Sequence, residues 1–281
     1  MKALKTPLRY PGGKSRVASM LCDNIPRTVS EYREPFLGGG SVALEFTRRN
    51  PDIPVWVNDK YWYLYNFWVV LQENGEELSN VLAMYKDKYD TKESARELFN
   101  TCKENIDKQS EFQAAVYFWI MNKCSYSGLT ENSSFSPQAS VQNFTKRGIT
   151  NLPRYSEMIQ HWHITNTDYS HLLTEPGDED TFIFLDPPYD IKDFLYGGKG
   201  GTMHKGFDHQ IFADRCGACN HDWMITYNVN DNIKHMFRHF TQRPFSITYG
   251  MQHRANNKHK ELMISNFQQL SVIEQLLNYE S

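Results

Sequence analysis

The chain has 281 residues, of which 40% are hydrophobic and 14% aromatic, and its formal net charge is −3. That length suits one large domain, or one domain carrying an insertion, and the charge excludes a protein that meets nucleic acid with its whole surface, so such a partner has to find a local basic face. Five cysteines, no stretch that reads as a signal peptide and no apolar run approaching the roughly 18 residues of a membrane span argue against a disulfide framework and a membrane protein, and set the expectation of a cytoplasmic chain.

In chain order, PGGK (Pro11 to Lys14) predicts the opening of a helix. EYREPFLGGGS (Glu31 to Ser41) predicts a short strand that breaks on three glycines and enters a helix at Ser41. VWVND (Val55 to Asp59) is a second apolar strand that closes on an acid. From about Tyr61 to Asn122 apolar residues recur at helical spacing, and Phe112 to Lys123 is apolar nearly all round, as in a buried helix. The polar stretch Cys124 to Gly148 has no convincing period and is expected to be a long functional or mobile loop. Strands return at Trp162 to Asp168, Thr181 to Asp186, Trp223 to Asn228, Phe245 to Gly250 and Glu261 to Phe267. The polar connector MQHRANNKHK suggests that the last two form a hairpin. IFADRCGACNH reads as a helix, and its CGACNH lacks the second close Cys/His pair that structural zinc needs. Seven candidate strands, several separated by helices, predict a doubly wound α/β sheet with one antiparallel pair and a helical second lobe.

In an open α/β sheet a ligand lies beyond the carboxyl ends of the strands. Gly38 and Gly40, in Phe36-Leu37-Gly38-Gly39-Gly40-Ser41, allow positive φ and close backbone approach, but their spacing is neither the phosphate loop nor the dinucleotide fingerprint. Asp59 closes the second strand, where a carboxylate can accept both hydroxyls of a ribose; its plain alternative is a helix cap. Together these suggest an adenosine ligand with little or no phosphate. The third strand end is FIFLDPPYD (Phe182 to Asp190). The exocyclic amine of adenine is a poor nucleophile because its lone pair is delocalised into the ring. A carboxylate (Asp186) and a backbone carbonyl (Pro187), each accepting one N–H, draw that nitrogen toward a tetrahedral, nucleophilic geometry. Pro188 fixes φ and holds both acceptors, and Tyr189 offers a ring for stacking an extruded base.

PGGK, FLGGGS, VND and DPPY, in this order, resemble the Dam-type (α group) S-adenosylmethionine-dependent DNA adenine-N6 methyltransferases, over roughly Leu8 to Phe267. The resemblance implies a Rossmann-like class I methyltransferase fold, α/β with a seven-stranded sheet, with residues 1–65 and 160–281 catalytic and a helical target-recognition lobe inserted at 66–159. It implies that Tyr10, Lys14, Phe36, Gly38, Gly40, Asp59, Asp168 and Asp186 surround S-adenosylmethionine, and that Asp186, Pro187, Pro188 and Tyr189 form the catalytic tetrapeptide. Tyr10 stands where the family's first motif begins with Trp. NKCSYSGLTENS (Asn122 to Ser133) lacks the arginine of the GATC-modifying members, so GATC is not assigned as the target.

The implied reaction is direct methyl transfer to an adenine extruded from double-stranded DNA, with no metal. Expected phosphate contacts are Lys146, Arg147 and Arg154, then Lys199 and Lys205 in a glycine-rich loop, then Arg254, Lys258 and Lys260. A cognate restriction endonuclease and a monomer or weak dimer are further expectations. The alternatives are methylation of cytosine N4, of RNA adenine or of a glutamine amide, and a non-catalytic DNA-binding module; Asp186 in first position of the tetrapeptide tilts the choice toward adenine.

Overall fold

The computed structural model describes residues 5–130, 133–189, 206–248 and 258–268. The strands are β1 (Glu31–Glu34), β2 (Val55–Asn58), β3 (Trp162–Thr165), β4 (Thr181–Leu185), β5 (Asp222–Asn228), β6 (Thr241–Thr248) and β7 (Lys258–Ser265). They form one Rossmann-like sheet in the order β3-β2-β1-β4-β5-β7-β6. Neighbours from β3 to β5 pair in parallel, and β7 runs antiparallel to both β5 and β6.

β4 is buried along its whole length. Alternation sends Phe182 and Phe184 into a core with Tyr32 and Val57, while Ile183 and Leu185 enter a second core with Trp223, Ile225, Phe212 and Phe237. A parallel strand covered on both faces reads as an unbroken apolar run, which accounts for FIFL. Each such side chain stabilises the fold by about 1.5–3 kcal/mol of transfer free energy. After β1 the chain crosses to β2 on one side, and after β4 it crosses to β5 on the other. The strand order therefore reverses between β1 and β4, and a crevice opens outside their carboxyl ends.

Helix α1 (Ala18–Cys22) precedes β1, and α2 (Ser41–Arg49) follows it. Between β2 and β3 lie α3 (Trp62–Lys88), α4 (Lys92–Asn105), α5 (Glu111–Cys124), α6 (Pro137–Asn143), α7 (Lys146–Thr150) and α8 (Leu152–Met158). α3 packs against α5 and α8, and it bends at Asn74, where φ is −132°. Next to the bend a Cβ on Gly75 would come within 2.3 Å of Ser156 Cβ, so only glycine lets α8 approach so closely. Trp68, Phe118 and Trp119 share one core with Tyr32 and Phe182, so the helices and one face of the sheet are continuous. The remaining helices are α9 (Ser170–Thr174), α10 (His209–Ala218) and α11 (Asp231–Met236).

Three local expectations differ from the structure. PGGK does not open a helix: Gly12 has φ +70°, the Gly13 amide donates to Tyr10 O at 3.0 Å, and α1 begins only at Ala18. The polar stretch after α5 is not one loop. Ser136 and Thr145 accept from the amides of Ala139 and Gly148 and cap α6 and α7, which are too short to show a period. The last two strands each begin earlier than their apolar runs, because pairing extends β6 back through Pro244. Proline is tolerated there because β6 is the edge strand and its missing N–H can face away from the sheet.

Candidate active site

The segment before α1 supplies Tyr10 and Lys14. The Lys14 ammonium donates to Gly12 O at 3.0 Å and to both oxygens of Asp186 at 2.8 Å, and Lys14 is only 3% exposed. Thr226, in the middle of β5, donates to Asp186 Oδ1 at 2.8 Å. The lysine also lies 4.9 Å from the centre of the Tyr189 ring, which faces Tyr227 at 5.9 Å. The carboxylate at the end of β4 is thus fixed by one cation and one hydroxyl, with Pro187 buried behind it.

Gly38 and Gly40 have φ of +50° and +66°, in the left-handed region that favours glycine. A Cβ at Gly38 would meet the Tyr10 ring at 2.9 Å, and one at Gly40 would meet Trp68 at 2.7 Å. Trp68 Nε1 donates to Gly38 O at 3.2 Å, so the turn is held from below by an indole and from the side by a tyrosine. Asp59 completes the unit: Oδ2 accepts the Gly38 amide and Oδ1 the Tyr61 amide, both at 2.9 Å. Burial pushes the Asp59 carboxyl up to about 6, against the pull of those two amides. Each oxygen keeps lone-pair capacity for one further donor.

Phe36 stacks on Tyr169 at 5.2 Å between ring centres, with Phe207 and Phe212 edge-on at 5.8 and 5.9 Å. Asp168 stands beside this cluster, at the end of the loop after β3. It accepts from the Ser170 hydroxyl at 2.7 Å and from Arg215 at 3.2 Å. Burial opposes its charge, but the Ser170 hydroxyl and amide, with Lys60 and Arg215, hold the carboxyl below its ordinary value. Tyr10 joins the two halves of the site. Burial raises its phenol, and the charges of Asp59 and then Asp186 raise it further, so the ring lies within electrostatic reach of both carboxylates.

Sequence reasoning missed Glu34 and Glu261. Glu34 ends β1 at 2% exposure, accepts the Tyr32 hydroxyl at 2.6 Å, and is pushed up to about 8 by burial, with the charge of Asp186 adding to the shift. Glu261 is 1% exposed, with Oε2 3.9 Å from the Lys14 ammonium, and burial pushes it to about 7. Both could have been found by the argument that found Asp59. Glu34 is an acid at the end of a parallel strand, and Glu261 stands near the start of an antiparallel one, which reaches the same edge of the sheet.

Among the expected DNA contacts, Lys146 pairs with Asp87 at 2.6 Å on the surface of the helical segment, and Arg147, Arg154 and Lys260 are exposed. Lys199, Lys205 and Arg254 lie outside the described residues, and Lys258 is described only as part of strand β7. The stretch that begins at Asn122 folds back on the site. Asn122 Oδ1 accepts the Arg9 amide at 2.8 Å, and its Nδ2 donates to Arg9 O at 2.7 Å and to Gly128 O at 3.1 Å. Ser127, Gly128 and Thr130 all have positive φ, and Tyr126 is 65% exposed. A cavity of about 270 Å³ between Lys86, Phe144 and Lys146 is built from the helical segment and contains none of the residues expected in the site.

The donor set fits S-adenosylmethionine. A buried carboxylate with two free acceptor positions suits a vicinal diol, and three carboxyls raised by burial suit a ligand that brings positive charge. The chain is 24% identical over 201 residues to the type II methyltransferase M.MjaIII of Methanocaldococcus jannaschii, covering 66% of this chain and 69% of that protein. It is 26% identical over 191 residues to the type II methyltransferase M1.LlaDCHI of Lactococcus lactis subsp. cremoris, covering 64% of each. It is 23% identical over 207 residues to the modification methylase StsI of Streptococcus sanguinis, covering 71% of this chain but only 31% of that protein. Residues 10–273 match the family described as D12 class N6 adenine-specific DNA methyltransferase, and the chain belongs to that family.

Proposed function

We propose that Asp186 and the Pro187 carbonyl receive the N6 amine of an adenine extruded from duplex DNA, and that Tyr189 stacks on the base. The family's reaction is transfer of a methyl group from S-adenosylmethionine to adenine N6 in DNA. The cofactor, when bound, supplies the electrophilic methyl carbon on its sulfonium. Asp186 would orient the amine by accepting one N–H and stabilise the positive charge that develops on nitrogen as the carbon–nitrogen bond forms and the carbon–sulfur bond breaks, the surplus N6 proton then passing to water. Pro187 and Pro188 lock the second acceptor in place. Asp59 accepts the ribose hydroxyls, Gly38 and Gly40 shape the turn that the cofactor lies against, and Phe36, with its ring cluster, flanks the cofactor adenine. Asp168 holds that wall in place through Ser170 and Arg215.

The observation that carries this reading is the position of Tyr10, against Gly38 and within reach of both Asp59 and Asp186, which sets the ribose acid and the amine acceptor around one crevice. We assign the helical residues 66–159 to target recognition, with the exposed Tyr126 and the exposed Arg147, Arg154 and Lys260 facing DNA. A cognate endonuclease, a monomer or weak dimer and a cytoplasmic setting complete the reading; the five free cysteines support the last, and among the described residues no helix is long and apolar enough to cross a membrane. The test is incorporation of labelled methyl from S-adenosylmethionine into duplex DNA, with Asp186→Ala as control. Label in RNA or protein but not in DNA would overturn it.

A further inference from the structure

Lys14 is a buried cation facing two carboxylates. Its ammonium is 2.8 Å from each oxygen of Asp186 and 3.9 Å from Oε2 of Glu261, and Thr226 adds a third donor contact on Asp186. Oδ1 already takes two donors and Oδ2 one, so the position left for an incoming amine is on Oδ2, directly beside the ammonium. An amine that gains positive charge there is repelled by the ammonium, so transfer is favoured when Lys14 releases Oδ2. The lysine is 3% exposed, so it cannot turn to water, and an ammonium left buried without a partner costs several kcal/mol. Glu261 is the neighbour that resolves this: its oxygen stands about 1 Å beyond the length of a charge-assisted hydrogen bond, a distance that rotation of the lysine's terminal bonds can close.

We propose that Glu261 is a positioning residue that takes Lys14 from Asp186 when the target amine arrives, leaving the Asp186 carboxylate free to accept the amine. The proposal rests on the reading of Asp186 as the amine acceptor. The neighbours of Glu261 agree with it. Lys14 comes from the segment before α1, and Asp186 and Tyr189 from the residues after β4. Asn228 of β5 and Phe245 of β6, its partners across the strands, add no charge, and Glu34 at the end of β1 is held neutral up to about pH 8 by burial. One lysine between two ionised carboxylates leaves one negative charge, which the sulfonium of the cofactor balances. Glu261 can receive Lys14 only when ionised, and burial places its titration near 7. The exchange therefore weakens as pH falls through this range and strengthens as it rises.

The test is single-turnover methylation of a duplex substrate by the full chain and by Glu261→Gln across a range of pH, with cofactor and DNA affinities measured separately. The expected result, at saturating cofactor, is a rate about tenfold lower for the variant at alkaline pH, a DNA affinity within about twofold, a weaker affinity for the cationic cofactor, and loss of the acid limb near neutrality that the unaltered chain shows. In a Lys14→Met background, adding Glu261→Gln should change the rate by less than about twofold, because the exchange no longer exists. An acid limb that persists in Glu261→Gln, or an equal loss in both backgrounds, overturns the proposal. Should Lys14→Met be inactive, the acid limb decides alone. If the unaltered chain itself transfers no methyl to DNA, the failure belongs to the functional reading and not to Glu261.

Discussion

The Gly38 amide donates to Asp59 Oδ2 at 2.9 Å, so the turn after β1 and the acid after β2 are a single unit. Replacing Asp59 by Ala strands two buried amides, those of Gly38 and Tyr61. The expected cost is about 1–3 kcal/mol of stability for each unsatisfied group. Cofactor affinity should fall at least about tenfold, the order of one lost charge-assisted hydrogen bond. Asp59→Asn keeps one acceptor oxygen and should spare more of the stability than of the affinity. Calorimetric titration with S-adenosylhomocysteine, beside thermal melts, separates the two; unchanged affinity in both variants would put the ribose elsewhere.

Asp186 holds Lys14 and, in the reading proposed above, accepts the amine; two substitutions divide these roles. Asp186→Ala removes the nearer partner of a buried lysine, leaving Glu261 to take it up, and should lower stability by about 1–3 kcal/mol. Asp186→Asn keeps an oxygen for Lys14 and should melt closer to the unaltered chain. Both should lose methyl transfer, by about a hundredfold or more, as expected when an oriented charge is removed from a reacting site. An Asn variant that methylates at half the original rate would remove Asp186 from the chemistry.

Gly40→Ala tests the turn itself. The residue has φ +66°, and a Cβ there would meet Trp68 at 2.7 Å. The left-handed backbone alone costs about 1–2 kcal/mol for a residue with a side chain, and displacing the buried indole adds to it. The expected outcome is a clear fall in the melting temperature together with weaker cofactor binding. A Gly40→Ala protein as stable as the original would mean that the turn relaxes without strain.

The buried acids make stability fall as pH rises. In an unfolded chain a glutamate loses its proton near 4.3 or so, whereas Glu34 keeps it to about 8 and Glu261 to about 7 in the folded protein. Between those values the folded state binds more protons, so these two residues contribute stability that is fully present below the unfolded value and is lost progressively up to about 8. Melting temperatures from about pH 5 to 9 should show this slope, and Glu34→Gln should flatten it. A cationic cofactor favours the ionised carboxyls, so its binding near neutrality should release protons, read as a calorimetric enthalpy that depends on the buffer. Proton uptake on binding would reverse the assignment.

The two candidate acids were legible because each stands at the end of an apolar run. FIFL stops at Asp186 and VWVN at Asp59, and parallel strands align such ends at one edge without any knowledge of the folded contacts. The partners of those residues were not legible. Nothing in WMITYN marks Thr226 as the residue that meets Asp186, since a buried strand threonine is as often mere filling. Lys14 was named beside the cofactor, but its grip on Asp186 spans 172 positions of sequence and depends on the turn at Gly12. The helices α6 and α7 escaped because their capping residues sit in a run of Ser, Thr and Asn that resembles loop composition.

The seating of β7 between β5 and β6 sets an order of assembly. During synthesis β6 emerges before the strand that separates it from β5, so until residue 265 is available the flank of β5 is an open edge and the pocket lacks Glu261. A nascent chain halted within this stretch would carry the DPPY tetrapeptide and Asp59 yet hold an unfinished crevice. The flank of β5 is covered, and Glu261 brought to within 3.9 Å of Lys14, only once this last described strand is in place.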